Sequence, residues 1–171
     1  MKQRKAPPMA GRESPRRWGR AQRDAVIDPY RWDHRPAGPA VCPQCGAVYR
    51  RGRWSWAKRP EEAMELTCQA CHRINDGYPA GLVSLAGPRL PALKAQILQL
   101  VRHEEEAERK EHPLNRVVEI EEGAEGLMVK TTDIHLPRRI GEAVQRAYRG
   151  ELEIHFDEQN YFVRVNWKSS E

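Results

Sequence analysis

The chain has 171 residues, of which 31% are charged and 39% hydrophobic, and its mean hydropathy is -0.81. This composition argues against one continuous core and favours small modules joined by flexible segments. No apolar run approaches the ~20 residues that cross a bilayer, and the N-terminus has no apolar segment typical of a secretion signal. We therefore expect a cytoplasmic protein with no membrane association.

Positive charge is concentrated at the N-terminus. Residues 1–35 hold ten Lys or Arg and four Asp or Glu, a net of +6 within a total of +5. Residues 1–40 are also rich in proline and glycine and poor in aliphatic side chains, so they are predicted to be a disordered basic arm. This arm is either a solvated tail or a segment that binds phosphates, with Trp18, Tyr30 and Trp32 available to stack on bases.

Two Cys-x-x-Cys motifs contain every cysteine of the chain: Cys42, Cys45, Cys68 and Cys71. Four thiolates at this spacing are typical of a structural zinc site, in which no coordination position is left open for catalysis. Two disulfides or a redox pair would be the alternative, but neither a secretion signal nor a thioredoxin-like pattern accompanies the motifs. His72 follows the fourth cysteine and is predicted to lie outside the ligand set.

Residues 41–77 are predicted to form a zinc ribbon. We expect one strand over residues 47–59, bent at Gly52, and a short strand over 65–67. Basic residues and tryptophans crowd this first strand: Arg50, Arg51, Arg53, Trp54, Trp56, Lys58 and Arg59. The tryptophans either cover the small core beside the metal or stack on a base. Crowded arginines do not stabilise so small a module, so they indicate a polyanionic partner.

Residues 88–111 are predicted to form a linking helix, and residues 75–88 before it are predicted to form a connector made of a turn, a short extended piece around 82–85 and a helix entry. An apolar stripe follows helical spacing: Leu90, Leu93, Ile97, Leu100 and Val101. The stripe is lost after Val101, so we expect the first half of the helix to pack and the charged second half to project. His112 and Pro113 end the helix, because a residue before proline avoids helical dihedral angles.

Residues 114–168 are predicted to form a ββαββ domain, which makes the fold class α+β. Strands are expected over residues 116–121, 127–132, 151–157 and 161–167, with an amphipathic helix over 136–147. These strands would form an antiparallel sheet with one face against the helix. The opposite face would be exposed and carries four polar residues: Glu153, His155, Arg164 and Asn166.

Polar residues near the start of this second helix are the best candidates for catalytic groups: His112, Thr131, Thr132, Asp133, His135 and His155. A simpler interpretation is that Asp133 caps the helix and that the threonines end a strand. No phosphate-binding loop, nucleophile elbow, zinc-protease motif or dinucleotide-binding turn is present. The chain is therefore predicted not to be an enzyme, and no small-molecule substrate is evident.

Several short motifs carry a resemblance to known families: Cys-Pro-x-Cys-Gly-Ala-Val-Tyr at 42–49, Gly-Arg-Trp at 52–54, Cys-x-Ala-Cys-x-Arg-Ile at 68–74, Pro-Ala-Gly at 79–81, His-Pro-Leu-x-Arg at 112–116 and Thr-Thr-Asp-x-His-Leu at 131–136. With them, residues 40–168 resemble a family of small, uncharacterised bacterial zinc-ribbon proteins. More distantly, the order of elements is similar to the N-terminal part of the large-ribosomal-subunit export adaptor of archaea and eukaryotes. That resemblance implies docking on ribosomal RNA and protein, although this chain has fewer knuckles and lacks the later domains.

Two functions from different classes follow. The first is a non-enzymatic zinc-ribbon protein that binds RNA, in association with the ribosome, through the N-terminal arm and the basic aromatic stretch at 50–59. The second is a protein-interaction adaptor, in which the ribbon only supports the fold and the exposed sheet face or the charged half of the 88–111 helix recruits a partner. DNA is less favoured, because neither predicted helix presents a major-groove recognition pattern.

Overall fold

A computed structural model describes residues 27–171. Most of the predicted arm, including Trp18, lies outside the described residues. Within them, no helix is long and apolar enough to cross a membrane. The elements confirm the α+β class, and in chain order they are β1 (Ala40–Val41), β2 (Val48–Arg50), β3 (Arg53–Ser55), β4 (Met64–Glu65), α1 (Gln69–Asp76), β5 (Gly81–Ala86), α2 (Leu90–Glu111), β6 (Val117–Gly123), β7 (Gly126–Thr131), α3 (Leu136–Tyr148), β8 (Glu151–Phe156) and β9 (Val163–Lys168).

The cysteine module, residues 40–77, is built on a small four-stranded sheet with the order β3-β2-β1-β4. The prediction of one bent strand over residues 47–59 is wrong, because β2 and β3 are two strands that pair antiparallel. The chain reverses at Arg51 and Gly52, whose φ angles are 50° and 84°. Consecutive positive φ angles are what a tight two-residue hairpin turn requires, and glycine adopts the second without steric cost.

Helix α1 begins directly after Cys68, and the sequence patterns do not predict it. The Sγ atom of Cys68 accepts a hydrogen bond from the backbone N–H of Cys71 at 3.4 Å, as a capping side chain does. Gly77, with φ of 60°, ends the helix in the left-handed conformation. The second Cys-x-x-Cys motif is therefore the first turn of a helix rather than an isolated knuckle.

The larger sheet has five strands in the order β6-β7-β5-β9-β8. The four strands and the helix predicted in residues 114–168 are present, but the prediction omits the central strand of the sheet, β5. Strand β5, from the stretch expected to be a connector, pairs antiparallel with β7 and parallel with β9. The sheet is therefore mixed rather than antiparallel, and its domain begins near residue 80 rather than 114.

Helices α2 and α3 bury one face of this sheet. Side chains from both helices and from the three central strands form one core, in which Ile97, Val101 and Trp167 are at most 1% exposed. The opposite face is exposed at Glu153, His155, Arg164 and Asn166, as predicted. Because α2 contributes to the core, it is part of the domain rather than a linking helix.

The charged second half of α2 does not project, although its composition predicts that it should. Glu108 is only 7% exposed and forms an ion pair with Arg139 of α3 at 2.7 Å. Glu104 contacts the same guanidinium at 3.2 Å, and Glu105 accepts from the backbone N–H of Val117 at 2.7 Å. These carboxylates are polar in sequence but have tertiary partners, which periodicity cannot reveal.

The described end of the predicted arm is also packed rather than disordered. The Trp32 ring lies 5.3 Å from the Tyr49 ring and 5.7 Å from the Trp54 ring, centroid to centroid. The Tyr30 hydroxyl donates to Asp76 at 2.7 Å. Both aromatic side chains therefore contribute to the cysteine module instead of standing ready to stack on a base.

Replacement of Gly81 by alanine tests the central position of β5. A Cβ at this position would lie 2.3 Å from Pro137 Cγ, 2.6 Å from Thr131 Oγ1 and 2.8 Å from the Asp133 carbonyl oxygen. Gly81→Ala is expected to lower the free energy of unfolding by about 1–3 kcal/mol in urea titrations. Gly38→Ala is the control, since a Cβ there meets nothing within 4 Å. Equal stabilities of the two variants would contradict the packing of β5 described above.

Candidate metal centre

The four cysteines lie together in space. Their Sγ atoms are all within 4.8 Å of one another, and those of Cys45 and Cys68 are 3.7 Å apart. Four sulfurs placed tetrahedrally at about 2.3 Å from one ion would be about 3.8 Å apart. The predicted ligand set, Cys42, Cys45, Cys68 and Cys71, could therefore hold a single metal ion. His72 is exposed and is not part of the cluster, as predicted.

Two local structures aim the sulfurs at one point. Cys42 and Cys45 lie on a turn after β1, closed by the hydrogen bond from Gly46 N–H to the Cys42 carbonyl oxygen at 2.9 Å. Cys68 and Cys71 lie on the first turn of α1. The backbone N–H of Cys68 donates to Cys42 Sγ at 3.4 Å, so the two motifs also contact each other directly. Such N–H donors stabilise thiolates.

The close approach of the cysteine thiols shifts their pKa values. The pKa of Cys45 is lowered to about 4, chiefly by the hydrogen bond that its sulfur shares with Cys68 Sγ, and the same hydrogen bond raises the pKa of Cys68. Burial raises the pKa of Cys71. Four thiols this close, three of them buried, cannot all ionise unless a positive charge joins them, and a bound metal ion would supply that charge.

Arg116 supplies a further positive charge from outside the cysteine module. Its Nη2 lies 3.1 Å from Cys71 Sγ and 3.6 Å from Cys68 Sγ, and the residue is only 6% exposed. A divalent ion with four thiolates carries a net charge of −2, which a buried guanidinium partly offsets. Sequence reasoning does not find this role. The only signal is the arginine that ends the His-Pro-Leu-x-Arg motif.

A second buried arginine fixes the N-terminal side of the module. Arg73 on α1 is 1% exposed, forms an ion pair with Asp28 and donates to the Tyr78 carbonyl oxygen at 3.2 Å. Its guanidinium carbon lies 4.3 Å from the centroid of the Tyr30 ring. These contacts explain why residues 28–32 are packed on the module even though their composition is that of a flexible arm.

All five predicted phosphate-binding residues are exposed and lie on or just after the β2–β3 hairpin: Arg50, Arg51, Arg53, Lys58 and Arg59. Among them only Arg59 has a carboxylate partner in the described part of the chain, Glu65 at 3.6 Å. The two tryptophans of this stretch differ in their exposure and in their contacts. Trp54 is half-buried, packs on Trp32 and donates to Gln69 at 2.9 Å, so it covers the small core. Trp56 is 40% exposed and donates to the Arg109 carbonyl oxygen at 2.5 Å.

A cavity of about 350 Å³, which we name the cationic cleft, lies between this hairpin and residues 112–115. Arg31, Arg35 and Arg53 line it together with aromatic side chains of the module, including Trp32 and Tyr49. The first two arginines precede the cysteine motifs by several residues, and their composition predicts only a disordered arm. The fold gathers them beside the hairpin, which sequence spacing cannot show.

A larger cavity of about 640 Å³, which we name the junction cleft, lies between α1, the 112–115 segment and the start of α3. Four of the candidate catalytic residues line it: His112, Thr132, Asp133 and His135. His155, in contrast, lies on the exposed face of β8. The predicted cap is confirmed: Asp133 Oδ2 accepts from the backbone N–H of His135 at 2.6 Å and of Leu136 at 3.0 Å.

The two threonines of this region serve the fold. Thr131 Oγ1 donates to the Asp133 carbonyl oxygen at 2.8 Å, and Thr132 Oγ1 donates to the Leu114 carbonyl oxygen at 2.5 Å. Both side chains satisfy backbone acceptors close to the strand end, which is the simpler role predicted for them.

The fold and the site define an α+β protein with a four-cysteine cluster that could hold one metal ion. Comparison of the chain with models of protein families, with curated proteins and with solved structures found no match. The resemblance to bacterial zinc-ribbon proteins and to the ribosomal export adaptor therefore stays a prediction.

Replacement of Arg116 tests its role at the cluster. Arg116→Gln removes the guanidinium that faces Cys68 and Cys71, so the negative charge of the metal complex is less well offset. Metal affinity, measured by competition with a chromophoric chelator, is expected to fall about 10–100-fold. Arg102→Gln is the matched control, because Arg102 is an exposed arginine of α2. Equal affinities in the two variants would show that Arg116 does not support the site.

Proposed function

We propose that the protein is a non-enzymatic, zinc-containing RNA-binding protein, associated with the ribosome, in which the metal stabilises the surface that contacts RNA. Four thiolates are the donor set of structural zinc sites, and they leave no position for a substrate. Cys42, Cys68 and Cys71 are at most 4% exposed, which also favours a closed, structural site.

The observation that carries the RNA-binding proposal is the number of exposed cations on the cysteine module and on the segment that precedes it. Within residues 27–171, no carboxylate lies within 4.0 Å of six of them: Arg31, Arg35, Arg50, Arg51, Arg53 and Lys58. Like charges gathered on a small module repel one another, so they do not stabilise it. A polyanion removes that repulsion and releases its counterions, which favours binding.

The shape of this surface favours single-stranded RNA over duplex DNA. The cationic cleft is a concave site lined by three arginines, Arg31, Arg35 and Arg53, and a positively charged groove is what tracks the backbone of an unpaired strand. Helix α1, the helix of the cysteine module, exposes no arginine or lysine, so it offers no cation to the phosphates that flank a major groove. Trp56, which remains partly exposed beside Lys58, is the aromatic side chain we assign to stacking on a base.

Elemental analysis tests the metal. Purified protein is expected to contain about one zinc ion per chain, because one four-cysteine cluster is present. Cys71→Ser is expected to lose most of the metal, since it removes a thiolate. His72→Ala, the adjacent exposed residue, is expected to retain it. Iron in place of zinc, or equal metal content in both variants, would contradict the proposed structural zinc site.

Salt-dependent binding tests the RNA interaction. Replacing the five hairpin cations by glutamine is expected to weaken retention of single-stranded RNA at low salt. It should also flatten the dependence of log K on log salt by about 0.7 for each phosphate that is no longer neutralised. The five are Arg50, Arg51, Arg53, Lys58 and Arg59. A control variant removes the same charge from exposed positions elsewhere: Arg89, Arg102, Lys110, Arg146 and Lys168.

Equal weakening of binding in these two variants would show that net charge, rather than the hairpin, holds RNA. Absence of salt-sensitive binding in the wild type would refute the RNA proposal. A stable complex with another protein that survives nuclease would instead support the adaptor function. The exposed sheet face would then be its docking surface, because the charged half of α2 is already engaged by Arg139 and Val117.

A further inference from the structure

The junction cleft contains one acid without an ionic partner. Four carboxylates line the cleft, and three of them pair with an arginine: Asp28 with Arg73, Glu108 with Arg139, and Glu142 with Arg138. The fourth, Asp133, forms no ion pair within residues 27–171. The lining of the cleft therefore combines three paired carboxylates with a single carboxylate that has no ionic partner.

Asp133 uses only half of its hydrogen-bonding capacity. Oδ2 caps α3, whereas Oδ1 is buried and has no hydrogen-bond partner among the described residues. A buried acceptor left unpaired is costly, and burial here raises the pKa of Asp133 to about 6. The side chain is 6% exposed and held by two backbone donors, so it offers one fixed acceptor atom. A ligand that donates a single N–H would supply the hydrogen bond that Oδ1 lacks.

The size and walls of the cleft suit a planar ring. Its volume of about 640 Å³ falls within the range of small-ligand sites. His112, His135 and Tyr161 contribute aromatic rings to the lining. The planar ligands that carry an exocyclic amino group and stack on such rings include the nucleobases, and carboxylates accept hydrogen bonds from the amino group of cytosine.

The two clefts share one wall. Four residues line both the cationic cleft and the junction cleft: Gln69, His112, Leu114 and Asn115. An RNA strand whose phosphates contact Arg31, Arg35 and Arg53 would therefore lie next to the junction cleft. A base turned out of that strand would enter a cavity whose lining includes Asp133, and single-stranded RNA presents its bases in this unstacked form.

We propose that the junction cleft binds one nucleobase that carries an exocyclic amino group, and that Asp133 Oδ1 accepts a hydrogen bond from that group. This inference rests on the proposed RNA binding and adds base preference to it. The cationic cleft supplies affinity that does not depend on sequence, and Asp133 favours cytosine or adenine over the keto bases that replace the amino group by a carbonyl oxygen.

Asp133→Asn is the decisive variant, because asparagine caps a helix as well as aspartate does. Its carbonyl oxygen retains the two backbone N–H donors, and its NH₂ group takes the position of Oδ1. The acceptor of the cleft thus becomes a donor while the fold is kept. The probes are eight-nucleotide oligomers of cytidine and uridine, and of adenosine and inosine. Within each pair, the amino group is exchanged for a carbonyl oxygen.

The wild type is expected to bind the amino member of at least one pair about 5-fold more tightly at fixed salt. Asp133→Asn is expected to abolish or reverse this preference without weakening the binding of the keto oligomer. The variant with five neutral hairpin residues should lose affinity for both members equally. No preference in the wild type, or an unchanged preference in Asp133→Asn, overturns the inference.

A second measurement does not depend on the variant. Backbone amide resonances of residues 132–136 in the wild type are expected to shift with the preferred oligomer and to shift less with its keto counterpart. Shifts caused only by a lysine-containing peptide would assign the cleft to a protein side chain and overturn the nucleobase proposal. Salt-sensitive RNA binding without base preference would refute this inference alone, whereas absence of RNA binding would refute the proposed function as well.

Discussion

The hydrogen bonds of Arg116 connect the two halves of the described chain. Its guanidinium reaches Cys68 and Cys71, while its backbone N–H donates to Thr132 Oγ1 and its carbonyl oxygen accepts from Thr132 N–H, each at 2.9 Å. One residue therefore contacts the sulfurs on one side and the large sheet on the other. Because Arg116 follows the segment 112–115 that separates the two clefts, the geometry of both clefts depends on this anchor. A metal ion bound to the four cysteines would therefore affect the geometry of both clefts through Arg116.

Arginine has two physical roles in this protein. Arg73 and Arg116 are buried, and each is matched by a defined negative partner, Asp28 in one case and the cysteine sulfurs in the other. The arginines of the hairpin are exposed, and Arg51 even adopts a positive φ angle in the turn. Buried arginines without partners would be strongly destabilising, whereas exposed ones remain hydrated and available. The arginines that hold the fold together are therefore a separate set from the arginines that remain exposed on the hairpin.

Local patterns are sufficient for about half of this architecture. Cysteine spacing identifies the cluster, alternation identifies β6 to β9, and Asp133 is recognisable as a cap, because each depends on neighbours within a few residues. The central strand β5 escapes such reasoning, since its role is set by pairing with distant strands. Its own sequence reads as a short extended connector. The burial of Glu108 and Arg116 cannot be predicted from local patterns for a related reason: nothing near them in sequence shows that a charged side chain will be buried with a partner.

The position of β5 also determines when the sheet can be completed during synthesis. Gly81 pairs with Val163 and Ala86 with Lys168, so the middle of the sheet must wait for almost the last described residues to leave the ribosome. All strands and ligands of the cysteine module, in contrast, have been made by residue 76. A nascent chain can thus bring its four cysteines together while β5 still has exposed edges, which leaves the large sheet to be completed beside a module that is already formed.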